Sequence, residues 1–252
     1  MGAVGLTEYD GVAHGELAGR LGVKRCLTLE SVTSTLDVVH ELAADGAPDG
    51  TLVLAEEQTA GRGRRGRSWQ SPARRGIWLG FLARPRAESE RGVLALRVGL
   101  AVVESLGELG VEASLKWPND VVAIDRKLGG VLCEARWAEG RAKWVAIGIG
   151  LNVHGPLPPE LADRAVTVDE VAAGVTRLQV LERLAPRLDA LRDAPLLDEA
   201  ELAAFERHDW LRGRVLEAPV AGTAMGIDSD GALLVETEAG VERILGGSVV
   251  TA

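Results

Sequence analysis

A short run of arginines and glycines is the feature that most constrains this chain. Residues 61–67 read GRGRRGR, within a 252-residue protein whose formal net charge is −9. No acidic residue interrupts the stretch from Gly61 to Gly76, and a predicted core strand lies on either side of it. Glycines let the backbone come close to a ligand, and guanidinium groups bind phosphate or carboxylate through paired hydrogen bonds. The run therefore predicts a loop that holds an anionic ligand.

Two other interpretations of this run stay open. One is a flexible, solvated loop, although alternating Gly with Arg between two core strands gives a free loop no advantage. The other is a basic segment that touches nucleic acid, but such segments usually interleave aromatic residues or belong to a basic domain. The run is not a P-loop, because it lacks the GxxxxGK[ST] pattern.

The composition excludes several classes of protein. With 46% hydrophobic and 26% charged residues, the chain can bury a sizeable core and is not disordered as a whole. Cys26 and Cys133 are too few for a disulfide framework or a cysteine-rich metal site, and they favour a reducing compartment. The N-terminus lacks the basic flank and apolar run of a signal peptide, and the most apolar stretch, 93–103, is too short to span a membrane. We therefore expect a cytoplasmic protein without a membrane partner.

Hydrophobic periodicity predicts a first unit that mixes helices and strands. The predicted helices are 31–45, 94–109, 168–192 and 198–210, and the predicted strands are 51–55, 77–83, 113–117, 121–124, 131–137 and 144–153. From Gly213 the pattern changes to short strands separated by Asp-Gly and Ala-Gly turns, at 214–216, 223–227, 233–237 and 242–245. We expect one domain over residues 1–211 and a small barrel over residues 212–252.

A second polar segment, KWPND at 116–120, is followed closely by KLGG at 127–130. If the chain turns at residues 125 and 126, Ile124 faces Lys127 in a hairpin. One sheet face would then carry Asp120, Val122, Ile124 and Lys127. We expect the carboxylate and the ammonium at different heights on that face, with a gap for a ligand between them. A surface salt bridge on a turn is the alternative. The two glycines of KLGG tilt the balance slightly towards a ligand, since glycines in a strand often mark close approach.

The segment GIGLN at 148–152 ends in an asparagine that can bind an adenine edge through two hydrogen bonds. Such an asparagine more often caps a turn, and both interpretations of Asn152 stay open. The four histidines, at positions 14, 40, 154 and 208, lack metal-ligand spacing, and no GxSxG elbow occurs. We expect no metal held by a cluster of side chains.

Taken together, five segments in this order resemble the biotin protein ligases, also called biotin–[acetyl-CoA-carboxylase] ligases. They are GRGRRGR at 61–67, KWPND at 116–120, RKLGG at 126–130, GIGLN at 148–152 and GGSV at 246–249. The resemblance runs from about Leu27 to the C-terminus. It implies an α+β fold, with a mixed sheet and flanking helices similar to class II aminoacyl-tRNA synthetases, followed by a small SH3-like β-barrel.

The resemblance also implies a two-step reaction. Biotin's carboxylate attacks the α-phosphate of Mg²⁺-bound ATP, which gives biotinyl-5′-AMP and pyrophosphate. A lysine of a biotin carboxyl carrier domain then attacks the acyl carbon and releases AMP. ATP and Mg²⁺ are the implied cofactors, biotin is a substrate, and the carrier domain of a biotin-dependent carboxylase is the protein partner. Nucleic acid is not an expected partner.

The resemblance further implies three groups of site residues. The catalytic group is Lys127 at biotin's carboxylate and the α-phosphate, Asp120 for orienting or deprotonating the incoming amine, and Arg64 on the loop that holds the adenylate. The biotin contacts are Ser34, Thr35, Leu36, Gln58, Arg62, Gly63, Arg64 and Lys127. The contacts with ATP or the adenylate are Arg62, Arg64, Arg65, Arg67, Lys116, Asn119, Lys127 and Asn152.

Two positions depart from the family's pattern. Residues 71–76 read SPARRG where the family commonly has a turn with Gly and Asn, so the resemblance does not fix the pocket floor near Ile77 and Trp78. Leu36 stands where the family often has a polar residue, so its side chain is not expected to bond biotin's tail.

The stretch before the resemblance is too short for the N-terminal helix-turn-helix domain of some members, and we expect the ligase-only form. Two alternatives remain. One is a lipoate–protein ligase, which shares the fold and the acyl-adenylate chemistry. The other is a nucleic-acid-binding regulator that uses the arginine run.

Overall fold

The computed structural model describes residues 5–84, 91–139, 141–191 and 193–252. Up to residue 208 the strands and helices alternate irregularly, as expected for an α+β unit. In chain order they are β1 (Glu8–Tyr9), β2 (Val12–Ala13), α1 (His14–Arg20), β3 (Arg25–Val32), α2 (Thr35–Ala44), β4 (Thr51–Gln58), β5 (Gly76–Ala83), α3 (Arg91–Gly107), β6 (Ser114–Lys116), β7 (Asp120–Ala123), β8 (Arg126–Ala138), β9 (Arg141–Asn152), α4 (Val168–Val171), α5 (Arg177–Asp189) and α6 (Glu199–His208).

A seven-stranded mixed sheet forms the centre of this unit, in the order β3-β4-β5-β9-β8-β7-β6. Strands β3 and β4 are parallel and enclose α2 in the chain, and the other neighbours pair antiparallel. Strands β4 and β5 are buried along almost their whole length, as expected for central strands that are covered on both faces. The predicted mixed sheet with flanking helices is confirmed.

Helices cover the two faces of the sheet unequally. The larger hydrophobic cluster joins one face to residues of α1, α3, α5 and α6, and a smaller cluster joins α2 to the other. Leu36 of α2 lies directly over Gly148, where a Cβ atom would come within 3.1 Å of the leucine side chain. Because α2 is short, it leaves the neighbouring part of this face, over β8 and β9, free for a cavity.

Two predicted helices differ from the structure. The predicted helix 31–45 begins only at Thr35, because residues up to Val32 continue β3 and the Ser34 hydroxyl caps the helix by accepting from the Leu36 amide. The predicted helix 168–192 is divided into α4 and α5. Gly174 adopts a positive φ of 86°, and a capping box at Thr176 starts a new helix. Residue 192 lies outside the described residues, and β1, β2, α1 and β3 were not predicted.

A five-stranded antiparallel sheet forms the C-terminal unit. Its strands are β10 (Val215–Ala218), β11 (Gly222–Ile227), β12 (Leu233–Thr237), β13 (Gly240–Ile244) and β14 (Val250–Thr251). They pair in the order β13-β12-β11-β10-β14, with register irregularities in β10 and β11. Four of the strands lie where the sequence predicts them, whereas the two-residue β14 was not predicted.

The C-terminal sheet packs against the β6–β7 edge of the central sheet. The Trp117 indole donates to the Gly231 carbonyl at 2.9 Å in a buried position, and the Trp210 amide donates to the Leu115 carbonyl at 2.9 Å. This contact places the segment before β14 beside the arginine run. Within the described parts of the chain, no helix combines the length and apolarity needed to cross a membrane.

Candidate active site

A cavity of about 830 Å³ lies on the α2 face of the central sheet. Its volume falls within the range of pockets that enclose small molecules. The arginine run closes one side, and residues 247–250 of the C-terminal unit close another. All predicted site residues except Asn152 line it, namely Ser34, Thr35, Leu36, Gln58, Arg62, Gly63, Arg64, Arg65, Arg67, Lys116, Asn119, Asp120 and Lys127.

One end of the cavity presents hydrogen-bond acceptors. The side-chain oxygen of Gln58 accepts from the Thr35 amide at 2.9 Å and from the hydroxyls of Thr35 and Ser34 at 3.2 and 3.4 Å. The Gln58 amide nitrogen in turn donates to the Ser71 hydroxyl at 2.7 Å. Because both hydroxyl protons point to Gln58, the lone pairs of Ser34 and Thr35 are the groups left for a ligand. This end suits a ligand that carries N–H donors.

Apolar groups line the wall beside these acceptors. Leu36 and Leu132, which belong to the cluster on the α2 side of the sheet, line the cavity. The indole of Trp69 lies against Gly150, where any Cβ atom would collide with the ring. Its Nε1 is buried and has no hydrogen-bond partner among the described residues. The wall therefore accepts an apolar chain at one end and offers an aromatic surface at the other.

The arginine loop, defined here as residues 61–67, folds as a tight structured turn. The Gly63 amide donates to the Arg67 carbonyl at 2.7 Å, and the Trp69 amide donates to the Gly61 carbonyl at 2.8 Å. A Cβ atom at Gly61 would collide with the carbonyl oxygen of Trp69, so the close approach that this glycine permits is to the protein's own backbone. This glycine shapes the turn and brings the arginine side chains to the cavity.

Arg62, at the start of the loop, is held by two carboxylates. Its Nε and Nη2 donate to both oxygens of Glu134, at 3.3 and 3.1 Å, and its Nη1 donates to Asp37. Burial by itself would lower the pKa of the Arg62 guanidinium, and its hydrogen bonds and charge pairing with these carboxylates raise the pKa overall. The positive charge of Arg62 is therefore already neutralised by the protein.

Arg64, two residues later, has neutral hydrogen-bond partners among the described residues. Its Nη1 donates to the side-chain oxygen of Asn119 at 3.0 Å and to the Gly247 carbonyl at 3.5 Å. Burial lowers the pKa of the Arg64 guanidinium, Arg65 and Arg67 lower it further, and Asp120 acts in the opposite direction. No carboxylate among the described residues is hydrogen-bonded to Arg64, so its charge is available to an anionic ligand in the cavity.

Lys127 and Asp120 form an ion pair on the cavity floor, with 2.7 Å between Nζ and Oδ1. Asp120, Val122 and Lys127 share a face as predicted, but Ile124 lies in the turn, and the predicted register and gap are wrong. The two-residue turn consists of Ile124 and Asp125, both with positive φ, and it sets Lys127 opposite Val122. A bulge follows, so that Val121 pairs with Gly129 and Asp120 with Gly130. Lys127 thereby lies close enough to meet Asp120 directly. Roughly a third of each side chain is exposed, so the pair can open towards a ligand.

Lys116 adds a third cation, at the junction with the C-terminal unit. Its Nζ lies 4.8 Å from the centroid of the Trp210 ring, and Trp210 in turn donates to Asp125 at 2.8 Å. Burial lowers the pKa of the Lys116 ammonium, Arg214 and Lys127 lower it further, and Asp120 opposes them. Arg64, Lys116 and Lys127 therefore surround Asp120 with positive charge.

Comparison with known proteins identifies the family. Residues 28–152 match the biotin/lipoate A/B protein ligase family, and residues 212–251 match the biotin protein ligase C-terminal domain. The chain is 37% identical to the biotin–[acetyl-CoA-carboxylase] ligase of Mycobacterium tuberculosis over 86% of this chain and 85% of that protein. It is 35% identical to the bifunctional ligase/repressor BirA of Bacillus subtilis over 86% of this chain and 71% of that one.

A solved structure agrees with these relatives. The biotin protein ligase from Aquifex aeolicus, in complex with biotin and ATP, superposes with a TM-score of 0.76 at 31% identity, over 91% of this chain and 99% of that one. The chain belongs to the biotin protein ligase family.

Several cavity residues of this ligase-family chain were not predicted. Trp69, Arg164, Gly247 and Ser248 line the cavity without having been assigned a role. Trp69 lies two residues after the arginine run, and an aromatic residue near a basic loop is a signal for stacking against a base. Gly247 and Ser248 belong to the GGSV segment, but their contacts with Arg64 and Arg65 join residues 183 positions apart.

Asn152 lies outside the residues that line the cavity. It is buried at the end of β9, and its amide donates to the Val166 carbonyl at 3.3 Å. Its contact with adenine stays a prediction. The atypical segment 71–76 does not line the cavity either, and Ile77 and Trp78 are buried in the core.

The residues around the cavity fit a magnesium ion that arrives with a nucleotide. Across the described ranges, no three His, Cys, Asp or Glu side chains are grouped to hold a metal ion. Among the lining residues Asp120 is the one carboxylate. Mg²⁺ commonly uses one or two carboxylates, and substrate phosphates and water complete its shell. This donor set therefore suits an ion bound mainly by phosphate oxygens.

Proposed function

We propose that the protein ligates biotin to a lysine of a biotin carboxyl carrier domain, using ATP and passing through biotinyl-5′-AMP. The observation that carries this proposal is the cavity itself, with acceptors at one end and three cations around one carboxylate at the other. Ser34 and Thr35 present lone pairs that match the N–H groups of a ureido ring. Membership of the biotin protein ligase family supports this choice of substrate over lipoate.

In the first step a carboxylate oxygen of biotin attacks the α-phosphorus of ATP. The new bond is O–P, the bond to the bridging oxygen breaks, and pyrophosphate leaves. Lys127 is the cation best placed to draw two anions together, since it lies on the floor beside both the apolar wall and the cationic end. Arg64 and Lys116 offer positive charge where negative charge gathers on the phosphoryl oxygens. Mg²⁺ supplies further charge neutralisation on the phosphates when bound.

In the second step the carrier's lysine amine attacks the acyl carbon. An N–C bond forms, the acyl–phosphate bond breaks, and AMP leaves with the electron pair. The amine must lose a proton, and Asp120 is the carboxylate available in the cavity to orient the amine or accept that proton. The arginine loop lies over the site and excludes water, which would otherwise hydrolyse the mixed anhydride.

The finer fold assignments belong to the same proposal. We infer a catalytic domain over residues 1–211, similar to class II aminoacyl-tRNA synthetases, and a C-terminal domain over residues 212–252. We also infer that the C-terminal domain is a small SH3-like barrel. The register irregularities in β10 and β11 support this, because bulges bend a sheet.

The decisive experiment is incubation of the protein with ATP, biotin and a biotin carboxyl carrier domain, read by intact mass of the carrier. One biotinyl group should be added, and only when ATP and biotin are both present. A carrier whose acceptor lysine is replaced by arginine is the control and should stay unmodified. Modification by lipoate at an equal rate would contradict the choice of biotin.

A further inference from the structure

A chain of hydrogen bonds connects Arg62 to side chains that do not line the cavity. The Trp144 indole donates to His40 Nδ1 at 3.0 Å, and His40 Nε2 lies 3.0 Å from Glu134 Oε2. Glu134 accepts from Arg62 with both oxygens. Of these four residues, Arg62 alone faces the cavity. We call Trp144, His40 and Glu134 the relay.

Chemistry fixes the direction of each bond in the relay. An indole nitrogen can only donate, so His40 Nδ1 must carry the lone pair. The proton of the neutral imidazole is then on Nε2, where it is donated to Glu134. The opposite tautomer would place two N–H groups face to face at Trp144 and a lone pair against the Glu134 carboxylate. Trp144 therefore selects the form of His40 that binds Glu134.

The relay orients Glu134 for a two-point bond with Arg62. His40 occupies Oε2, which fixes the rotation of the carboxylate, and both oxygens then meet the Nε–Nη2 edge of the guanidinium. On the other side Asp37, which accepts from the Thr33 hydroxyl at 2.9 Å, takes Arg62 Nη1. Three N–H groups of Arg62 are thus bound by carboxylates.

We propose that Trp144, His40 and Glu134 are positioning residues that hold Arg62 as the anchor of the arginine loop. In this assignment the Arg62 side chain closes the loop onto α2 and β8, and binding of the anionic ligand falls to Arg64. The consequence for the reaction, slower release of biotinyl-5′-AMP, rests on the proposed function. The consequence for the loop does not.

Tryptic cleavage within residues 61–67 tests the loop directly, because trypsin cuts after arginine and the loop contains four. His40→Leu breaks the relay, Trp144→Phe removes one N–H and keeps the ring, and His40→Gln retains a donor and an acceptor. The matched control is His154→Leu, since His154 also bonds a carboxylate, Asp169, at 2.9 Å but lies outside the cavity lining. Cleavage rates are compared only between proteins whose thermal unfolding midpoints are equal.

His40→Leu should raise loop cleavage about tenfold, the effect of one lost hydrogen bond to a charged group. Trp144→Phe should have a smaller effect, His40→Gln should restore part of the protection, and His154→Leu should match the wild type. Equal cleavage in His40→Leu and the wild type would overturn the proposal. If His40→Leu lowers the unfolding midpoint, the test passes to Trp144→Phe. Cleavage of Trp144→Phe at the wild-type rate would also overturn the proposal.

Dissociation of biotinyl-5′-AMP provides the second readout. Release should become faster in the same order of variants, with kcat for adenylation changed less than the release rate. Unchanged release despite faster cleavage would overturn the claim that the relay acts on the cavity. A protein that forms no biotinyl-5′-AMP would contradict the proposed function, and the cleavage comparison would still judge the relay.

Discussion

Two arginines of the arginine loop, Arg62 near its start and Arg64 at its middle, are held by different kinds of contact. At Arg62 the loop is tied to α2 and β8 by Asp37 and Glu134, so charge meets charge. At Arg64 it is tied to Asn119 and to the Gly247 carbonyl, which are neutral. The same residue type in the same run therefore serves two purposes. A neutralised arginine stabilises the fold, and an uncompensated one attracts a ligand.

Lys127 lies between these two cases. It has one carboxylate partner, Asp120, in a pair that is partly exposed to the cavity. A pair of this kind contributes little to stability, and its partners can be exchanged for those of a ligand. The number of carboxylates around each cation thus orders the cations from structural to functional, as Arg62, Lys127 and Arg64.

Lys127→Ala should have the largest effect on the reaction. Biotin's carboxylate and the α-phosphate lose their shared cation, and adenylate formation should fall about 100- to 1,000-fold, as when a preorganised donor is removed. Pyrophosphate release measures this rate. The control is Lys143→Ala, which removes a lysine on β9 outside the cavity and should leave the rate unchanged. A near wild-type rate in Lys127→Ala would place Lys127 with the structural cations.

Asp120→Asn should separate the two steps. Only transfer handles an amine proton, so transfer from preformed biotinyl-5′-AMP should slow by about 100-fold, the lower end of general-base effects. Adenylate formation should change much less, because the cations remain. Single-turnover transfer and pyrophosphate release measure the two rates. Unaffected transfer would show that Asp120 serves only to pair with Lys127.

Arg64→Gly tests whether Arg64 is the loop residue that binds the ligand. The loop stays anchored at Arg62, so biotinyl-5′-AMP should still form, but it should escape because its charged contact is lost. Escaped mixed anhydride acylates lysines on other proteins, and labelling of an added bystander protein should rise about tenfold at equal adenylation. Arg74→Gly is the matched control, since Arg74 is exposed, lies outside the cavity lining and has a positive φ that suits glycine. Labelling no higher than wild type would assign Arg64 to anchoring.

The same contrast explains what could be predicted from the sequence. The arginine loop, the KWPND segment and the central strands were located because each is a local pattern of residue type or hydrophobic period. The roles of Arg62 and Arg64 could not be separated this way. Glu134 is 72 residues from Arg62 and becomes its neighbour only when β8 joins the sheet. Which arginine is neutralised is therefore a tertiary property.

Local exceptions account for the other errors. The hairpin register failed because Ile124, a β-branched residue, occupies a left-handed conformation that its type disfavours. The helix break at Gly174 had a signal, a glycine followed two residues later by a capping threonine, which the apolar periodicity on either side obscured. Two-residue strands such as β1, β2 and β14 are too short to show a period.

The smallest expected effect on the reaction concerns the junction between the two units, where Arg64 contacts the Gly247 carbonyl. Asp209 bridges to Leu115 beside Trp210, and its Oδ2 is buried without a hydrogen-bond partner in the described part of the chain. Burial raises the pKa of the Asp209 carboxyl to about 6, and hydrogen bonds from the Leu211 and Arg212 amides only partly offset this. The folded protein therefore binds this proton more tightly than the unfolded chain does.

Asp209 should accordingly cost stability at neutral pH and not at low pH. Its penalty grows as pH rises from the ordinary carboxyl pKa to about 6 and is complete above that value. Asp209→Asn removes the ionisation, so the variant should be more stable than wild type at pH 7.5 by up to about 3 kcal/mol, at about 1.4 kcal/mol for each unit by which the pKa is raised, and the advantage should vanish near pH 4. Denaturant unfolding across this range measures the difference, with exposed Asp163→Asn as the control that should show no such trend. An advantage that persists at pH 4 would mean that the substitution acts through packing at the junction and not through the charge of Asp209. The contact of Arg64 with the C-terminal unit would then not depend on that charge.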